Sequence, residues 1–300
     1  MTTIQDLPFD TLKTIASFVV KPVYKLRNWL SMDQLFEHSL SSNPYALEWI
    51  EKNMEKVNWF ELSRNPYAIP ILEQNLDKVN WYMLSKNPHA ISILEKNLER
   101  VDWTMLSLNP NAMPILEKNP EKICNLFLSK NPSAVPFLER HPERIHWRML
   151  SSNSNAIHLL ERHPERIEWE MLSKNPSAIH LLEQHPDKID WDSLSENPNA
   201  ISLLERNMDK IKWYLLSSNP GAIPLLEKNL DKVNWHMVAL NKSPDAVKLF
   251  EKHQECVKLA SVYLSQHPFI FEVDVKAVSK KIDKLARMLR LNNQFSLEDV

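Results

Sequence analysis

Glycine and cysteine are almost missing from this sequence. Of 300 residues, one is glycine, Gly221, and two are cysteines, Cys124 and Cys256. Phosphate-binding loops and tight hairpin turns depend on glycine, so the sequence excludes both as recurrent elements. Two cysteines give no basis for a disulfide framework, which favours a reducing compartment.

The sequence also lacks a charge excess and long apolar runs. Lys and Arg number 36 against 38 Asp and Glu, and the isoelectric point is about 6.6, so nucleic acid is not an expected partner. The longest apolar runs, such as residues 15–20, fall far short of the roughly 18 residues that cross a bilayer. The amino terminus shows no secretion signal. We therefore expect an intracellular protein with no membrane partner.

Proline, in contrast, occurs 20 times and marks an internal repeat. Alanine, glutamate and Leu-Ser all recur with a period of 22 residues, and so does Asn-Pro, with Asn153-Ser154 in place of one copy. The Asn-Pro pairs begin at Asn43, Asn65, Asn87, Asn109, Asn131, Asn175, Asn197 and Asn219. A tryptophan ladder has the same period: Trp59, Trp81, Trp103, Trp147, Trp169, Trp191, Trp213 and Trp235. Such a period is typical of stacked repeats.

Each unit reads as two short helices. In the unit that begins at Asn175, apolar residues 178, 179, 181 and 182 form one helical stripe, and Asn-Pro is suited to a helix start. Asp190 is placed to cap a second helix at Trp191. Pro70 and its counterparts four residues after the opening proline conflict with a regular first turn, which we therefore expect to be irregular or 3₁₀.

The pattern predicts an all-α fold, an α-solenoid of short helix-turn-helix units with helical caps at both ends. Residues 1–42 are expected to form the amino-terminal cap, residues 43–241 nine tandem repeats, and residues 242–300 a divergent repeat and a carboxyl-terminal capping helix. One unit buries too little to fold alone, so stacking is obligatory. Helices spaced by 8–10 Å would give an open rod or superhelix about 80–90 Å long. In this interpretation the tryptophan ladder packs between helices.

The repeat Asn-Pro-x-Ala-Ile-x-Leu-Leu-Glu resembles the 22-residue repeat proteins encoded in many copies by large nucleocytoplasmic DNA viruses. The likeness covers about 200 residues. It implies the same fold and a viral origin. The expected location is then the host cytoplasm, with the virion as the alternative.

The segment before the repeats resembles the opening of an F-box, with Leu7, Pro8, Leu12 and Ile15 as the matching residues. That resemblance implies docking onto the adaptor of a cullin ubiquitin ligase. The alternative is a cap with a polar outer face, which an open array requires. At the other end, apolar residues 275, 278, 282, 285 and 289 recur at helical spacing among lysines, which predicts a capping helix, with a membrane-surface or partner helix as the alternative.

Histidines and acids recur in the repeats, but neither pattern predicts catalysis. His141, His163 and His185 share one repeat position, and a spacing of 8–10 Å between units is too wide for one zinc ion with bonds near 2 Å. Nine copies of one glutamate fit a repeated ion pair better than nine catalytic acids. The sequence therefore predicts no catalytic residue, metal or cofactor.

Binding residues in a solenoid are expected where side chains vary while the framework repeats. The positions after proline and after tryptophan vary in this way, and their aromatic members gather in the first units: Tyr45, Phe60, Tyr67 and Tyr82. Aromatic side chains are efficient interface anchors. The sequence predicts a non-enzymatic scaffold for protein–protein interaction, of which an F-box adaptor is a specialised form. A structural or virion-associated scaffold is the alternative.

Overall fold

The chain is an all-α repeat protein, as the sequence predicts. The computed structural model describes residues 7–291, which divide into two compact units: residues 32–268, and a terminal unit built from residues up to 31 and from 269 onward. Among the described residues, the only strands are β1 (Tyr24–Leu26) and β2 (Phe271–Val273), both in the terminal unit.

Each repeat unit contains two helices, which we name after the residue that recurs in them. The Glu helices carry the recurrent glutamate: α3 (Leu47–Lys52), α5 (Ile69–Glu73), α7 (Ile91–Glu95), α9 (Met113–Lys118), α11 (Val135–Arg140), α13 (Ile157–Arg162), α15 (Ile179–Gln184), α17 (Ile201–Glu205), α19 (Ile223–Glu227) and α21 (Pro244–Lys252). The Trp helices occupy the tryptophan position: α2 (Glu37–Leu40), α4 (Trp59–Ser63), α6 (Trp81–Lys86), α8 (Trp103–Ser107), α10 (Asn125–Leu128), α12 (Trp147–Ser151), α14 (Trp169–Ser173), α16 (Trp191–Ser195), α18 (Trp213–Leu216), α20 (Trp235–Val238) and α22 (Val257–Gln266). Short 3₁₀ turns such as Pro186–Lys188 join the two helices of a unit.

The prolines four residues after Asn-Pro do not interrupt a helix, because the Glu helix begins later than Asn-Pro. Asn65 Oδ1 accepts a hydrogen bond from Tyr67 N at 3.0 Å, which closes a turn, and α5 begins only at Ile69. Pro70 therefore lies in the first turn of the helix, where its missing N–H has no intrahelical acceptor to lose. The predicted cap of the second helix is confirmed, since Asp190 Oδ1 accepts from Ser193 N at 2.8 Å.

Leucine and alanine, rather than tryptophan, fill the core of the repeats. Leu62, Ala68 and Leu72 are fully buried, and so are their counterparts in most other units. The tryptophans are half-buried, each against the following unit. In five units a cation of the following unit lies over the tryptophan ring, 4.3–5.1 Å from the ring centroid. The pairs are Lys78 with Trp59, Arg100 with Trp81, Lys122 with Trp103, Lys210 with Trp191 and Lys232 with Trp213. The tryptophan ladder therefore lies between successive units at their surface.

Asparagine side chains join each unit to the one before it. Asn65 Nδ2 donates to Ser41 O at 3.1 Å and to Asn43 O at 3.0 Å. The same pair of bonds recurs at Asn87, Asn109, Asn131, Asn153, Asn175, Asn197, Asn219 and Asn241. We call this series the Asn ladder. Because these amides are buried, each bond satisfies a group that would otherwise destabilise the stack.

The Asn ladder has no free end, because it closes on itself. Asn43 Nδ2 donates to Ser265 O at 3.1 Å and to His267 O at 2.9 Å, which repeats the pattern of the other asparagines. His267 continues it, with Nε2 at 2.7 Å from Asn241 O. Since a carbonyl oxygen only accepts, Nε2 carries the proton. Residues 32–268 therefore form a closed ring, and the expectation of an open rod is wrong for this unit.

The eleventh repeat of the ring is split between the two ends of the chain. Residues 32–42 match the second half of a repeat, and Phe36 N donates to Ser265 Oγ at 2.7 Å as Asn58 N does to Ser41 Oγ at 3.0 Å. His267-Pro268 supplies the Asn-Pro position of the same repeat. The predicted boundary after residue 42 thus differs from the observed one, which lies before Met32.

The terminal unit unites the two segments that were predicted as separate caps. Helix α1 (Phe9–Val19) packs against α23 (Val275–Leu291), and β1 pairs with β2 in antiparallel register, with Lys25 opposite Glu272. Its core contains Leu12, Ala16, Leu285, Ala286 and Leu289. Lys13 and Asp283 form an ion pair of 2.8 Å between the two helices.

A candidate binding surface on the inner helices

The Trp helices form the inner layer of the ring. Most neighbouring Trp helices, such as α4 and α6, approach each other closely, and so do α22 and α2 where the ring closes. Among the described Glu helices, only α19 and α21 approach as closely. In a closed ring the layer with the closer spacing has the smaller circumference. The Trp helices therefore lie inside, and the Glu helices outside.

The inner layer has an apolar side. Exposed large apolar residues occur on or beside six consecutive inner helices: α18, α20, α22, α2, α4 and α6. We call this surface the apolar arc. Its members are Tyr214, Leu240, Leu259, Val262, Tyr263, Phe36, Phe60 and Tyr82, each at least 41% exposed. Leu259, Val262 and Tyr263 share one face of α22 by their spacing. Phe36 lies beside His38, with ring centroids 5.8 Å apart.

The other side of the inner layer carries charges that pair between units. Arg148 and Glu170 are 3.1 Å apart, Lys174 and Glu196 are 3.2 Å apart, and Asp192 and Lys212 are 3.6 Å apart. These pairs belong to consecutive helices from α12 to α18, and we call them the ion-paired arc. They are partly exposed, so they contribute little to stability, but they leave this surface polar and internally neutralised.

The four predicted aromatic residues separate into two rows. Phe60 and Tyr82 occupy equivalent positions on α4 and α6 and belong to the apolar arc. Tyr45 and Tyr67 lie in the Asn-Pro turns instead, where their rings stack with centroids 6.3 Å apart. His89 continues that second row, with its ring edge-on to Tyr67 at 6.1 Å. The sequence missed the apolar residues of α22, because that helix departs from the repeat pattern.

The F-box-like residues lie in the terminal unit and pack within it. Leu12 is fully buried in the core shared by α1 and α23. Leu7 and Ile15 are partly buried against the same core, whereas Pro8 is exposed. Three of the four side chains thus belong to, or pack against, the core that α1 shares with α23, so their buried surface is already occupied within the chain.

The recurrent histidines and glutamates lie on the outer layer, where they link neighbouring units. His158 Nε2 is 2.9 Å from Glu139, and His180 Nε2 is 3.0 Å from Glu161. His163 and His185 contact the edges of Trp147 and Trp169, with ring centroids about 5 Å apart. Other copies of the glutamate pair with Arg140, Arg206 and Lys252. No cluster of three or more metal-ligating side chains occurs among residues 7–291.

The pKa values of Cys256 and His267, both in the last part of the ring, are shifted from their ordinary values. Burial, and secondarily the charge of Glu255, raises the pKa of the Cys256 thiol, which lowers its thiolate fraction. Burial lowers the pKa of His267, although backbone carbonyls of Asn241 and Ser243 partly oppose the shift. His267 is thus held neutral at the point where the ring closes.

No helix in the described part of the chain is long and apolar enough to cross a membrane. Comparison of the sequence with protein-family models finds no match, and searches of curated proteins and of solved structures find none either.

Proposed function

We propose that this chain is a non-enzymatic scaffold whose ring, residues 32–268, binds another protein through the apolar arc. The observation that carries the proposal is the concentration of exposed apolar side chains on six consecutive inner helices. Contiguous apolar surface is uncommon on a soluble monomer and is typical of interaction sites. Aromatic residues such as Phe60, Tyr82 and Tyr214 suit such a site, because they bury a large area at a small entropic cost.

The charges beside the apolar arc favour a partner segment with apolar and acidic residues. Arg64 and Lys86 are exposed at the ends of α4 and α6, and Lys86 has no ion-pair partner among the described residues. Arg64 pairs with Glu61, a mostly buried acid, at 3.4 Å. Beside the apolar surface, Lys86 therefore provides a positive charge with no ion-pair partner among the described residues, which complements an acidic, apolar segment.

The rigidity of the ring supports a role as a scaffold. The Asn ladder and the buried leucines fix each unit against its neighbours, so the inner side chains are presented on a preorganised frame. Preorganisation reduces the entropic cost of binding. An F-box adaptor would be a specialised form of the same function, and it would need α1 to exchange its contacts with α23 for contacts with the ligase.

Site-specific photo-crosslinking tests the proposed surface. A photoreactive residue replaces Tyr82 or Val262 in the apolar arc and, as matched controls, Glu170 or Asp192 in the ion-paired arc. We expect cross-linked partner polypeptides from the first two positions, with acidic, apolar segments at the cross-linked sites. Phe60→Asp should abolish these cross-links while the melting temperature stays unchanged. Equal cross-linking from Glu170 and Asp192 would contradict the proposal.

A further inference from the structure

We propose that the terminal unit docks onto an anionic membrane surface through the basic face of α23. This site is separate from the apolar arc and goes beyond protein binding. Four cations of α23 lie at intervals of four, four and three residues, which places them on one side of the helix. They are Lys276, Lys280, Lys284 and Arg287. All four are exposed, and so are Lys281 and Arg290.

None of these six cations has an ion-pair partner among the described residues. The one acid within α23, Asp283, is paired with Lys13 of α1 at 2.8 Å. The described parts of the terminal unit, residues 7–31 and 269–291, contain ten Lys and Arg residues but only four Asp and Glu residues. The whole chain has a slight acidic excess, with a net charge of −2. Within these described residues, positive charge is therefore in excess, and it is concentrated on α23, which carries six of the ten cations.

The apolar stripe of α23 is already covered. Leu285, Ala286 and Leu289 are buried against Leu12 and Ala16 of α1. The basic face is consequently held outward along a helix of 17 residues, about 25 Å long. The helix does not have to leave its partner to expose these charges, so docking through them requires no rearrangement of the core.

The kind of cation favours a lipid surface over an acidic protein. Four of the six are lysines, which act as point charges and do not require the paired geometry by which arginine recognises a protein carboxylate. A basic segment gains roughly fivefold in affinity for an anionic bilayer with each Lys or Arg near the surface, without shape complementarity. Phe18 and Val275, exposed by 85% and 72%, are the most exposed large apolar residues described, and both belong to this unit.

Co-sedimentation of the full chain with vesicles tests the proposal. We expect binding to phosphatidylcholine vesicles that contain phosphatidylserine, no binding to phosphatidylcholine alone, and loss of binding at high salt, because the interaction is electrostatic. Lys280→Glu with Lys284→Glu should weaken binding at least about tenfold. The matched control, Lys96→Glu with Lys228→Glu, changes exposed lysines of the ring by the same charge and should leave binding unchanged.

Three results would overturn the proposal. The first is equal binding to neutral vesicles, and the second is an equal loss of binding in the control variant. The third is saturable binding of an acidic peptide such as polyglutamate without binding to anionic vesicles, which would assign the basic face to a protein partner. Melting curves of both variants exclude misfolding, since neither pair of lysines belongs to a core.

Discussion

The side of the ring where it closes and the opposite side are built from the same repeat but differ in surface and in connectivity. The closing side contains the split repeat, the buried His267 and the apolar arc. The opposite side contains uninterrupted repeats and the ion-paired arc. The comparison shows that closure does more than remove the ends of a solenoid: it places α22 beside α2, and so joins apolar residues from both ends of the repeat array into one surface.

The largest expected difference between the two sides concerns the Asn ladder. Asn43→Ala and Asn131→Ala each remove two hydrogen bonds to buried carbonyls, and we expect each to lower the free energy of unfolding by about 3 kcal/mol. At Asn131 the chain itself still joins the two units, whereas at Asn43 it does not. Hydrogen exchange should therefore accelerate in both α2 and α22 only for Asn43→Ala. Equal, purely local effects would show that the ring is not held closed by this contact.

A second prediction compares two neighbouring residues on the side opposite the closure. Trp169 is half-buried against the next unit, so Trp169→Ala should cost about 2 kcal/mol, less than the 3–5 kcal/mol typical of a fully buried tryptophan. Glu170→Ala breaks an exposed ion pair and should stay within about 0.5 kcal/mol. Denaturant unfolding measures both. Similar values for the two variants would contradict the packing of the tryptophan ladder.

A third prediction concerns the only glycine, where we expect a smaller loss in the free energy of unfolding. A Cβ added to Gly221 would clash with the carbonyl oxygen of Pro198, so Gly221→Ala requires the backbone to shift. We expect a loss of about 1 kcal/mol. Ser177→Ala is the matched control, because it changes the same repeat position where a Cβ is already present. A thermal shift no larger than that of the control would show that the contact between these two units adjusts freely.

The smallest effect on stability is expected from pH, through His267 on the closing side. Burial lowers the pKa of His267 from its ordinary value of 6.5, so the unfolded chain takes up a proton at a higher pH than the folded ring does. The contribution of His267 to the stability of the ring should then be fully present above about pH 6.5 and be lost as the pH falls below it. His267→Asn restores the residue of the other repeats and should reduce this dependence. Denaturant unfolding of both chains at several pH values measures the difference.

Much of the repeat could be predicted from local signals. The 22-residue period, the apolar stripe of the Glu helix and the cap at Asp190 all arise from residues close together in the chain. The role of asparagine was only half predicted. Its side-chain oxygen closes a local turn, as a cap would, but its amide nitrogen binds the preceding unit. Asparagine persists at ten successive positions where serine or aspartate could also cap, and that persistence was the available signal.

The candidate site could be predicted only in part. The sequence identified Phe60 and Tyr82 but grouped them with Tyr45 and Tyr67, because nothing in the repeat shows which row lies on which layer. Sequence analysis also interprets the amino-terminal apolar stripe as a possible docking motif. In the structure that stripe, with Leu12 at its centre, is covered by α23 from the far end of the chain.

The sequence by itself determined the unit: its 22-residue length, its two short helices, the cap of the second helix and the apolar stripe of the first. Those features depend on interactions between residues within one or two turns or one repeat of each other. Only the tertiary structure decided that the array is a ring, that its eleventh repeat is split, and that apolar residues from both ends form one surface. The physical reason is that closure depends on the small rotation between successive units, which accumulates over the array and is set by packing geometry rather than by any single residue.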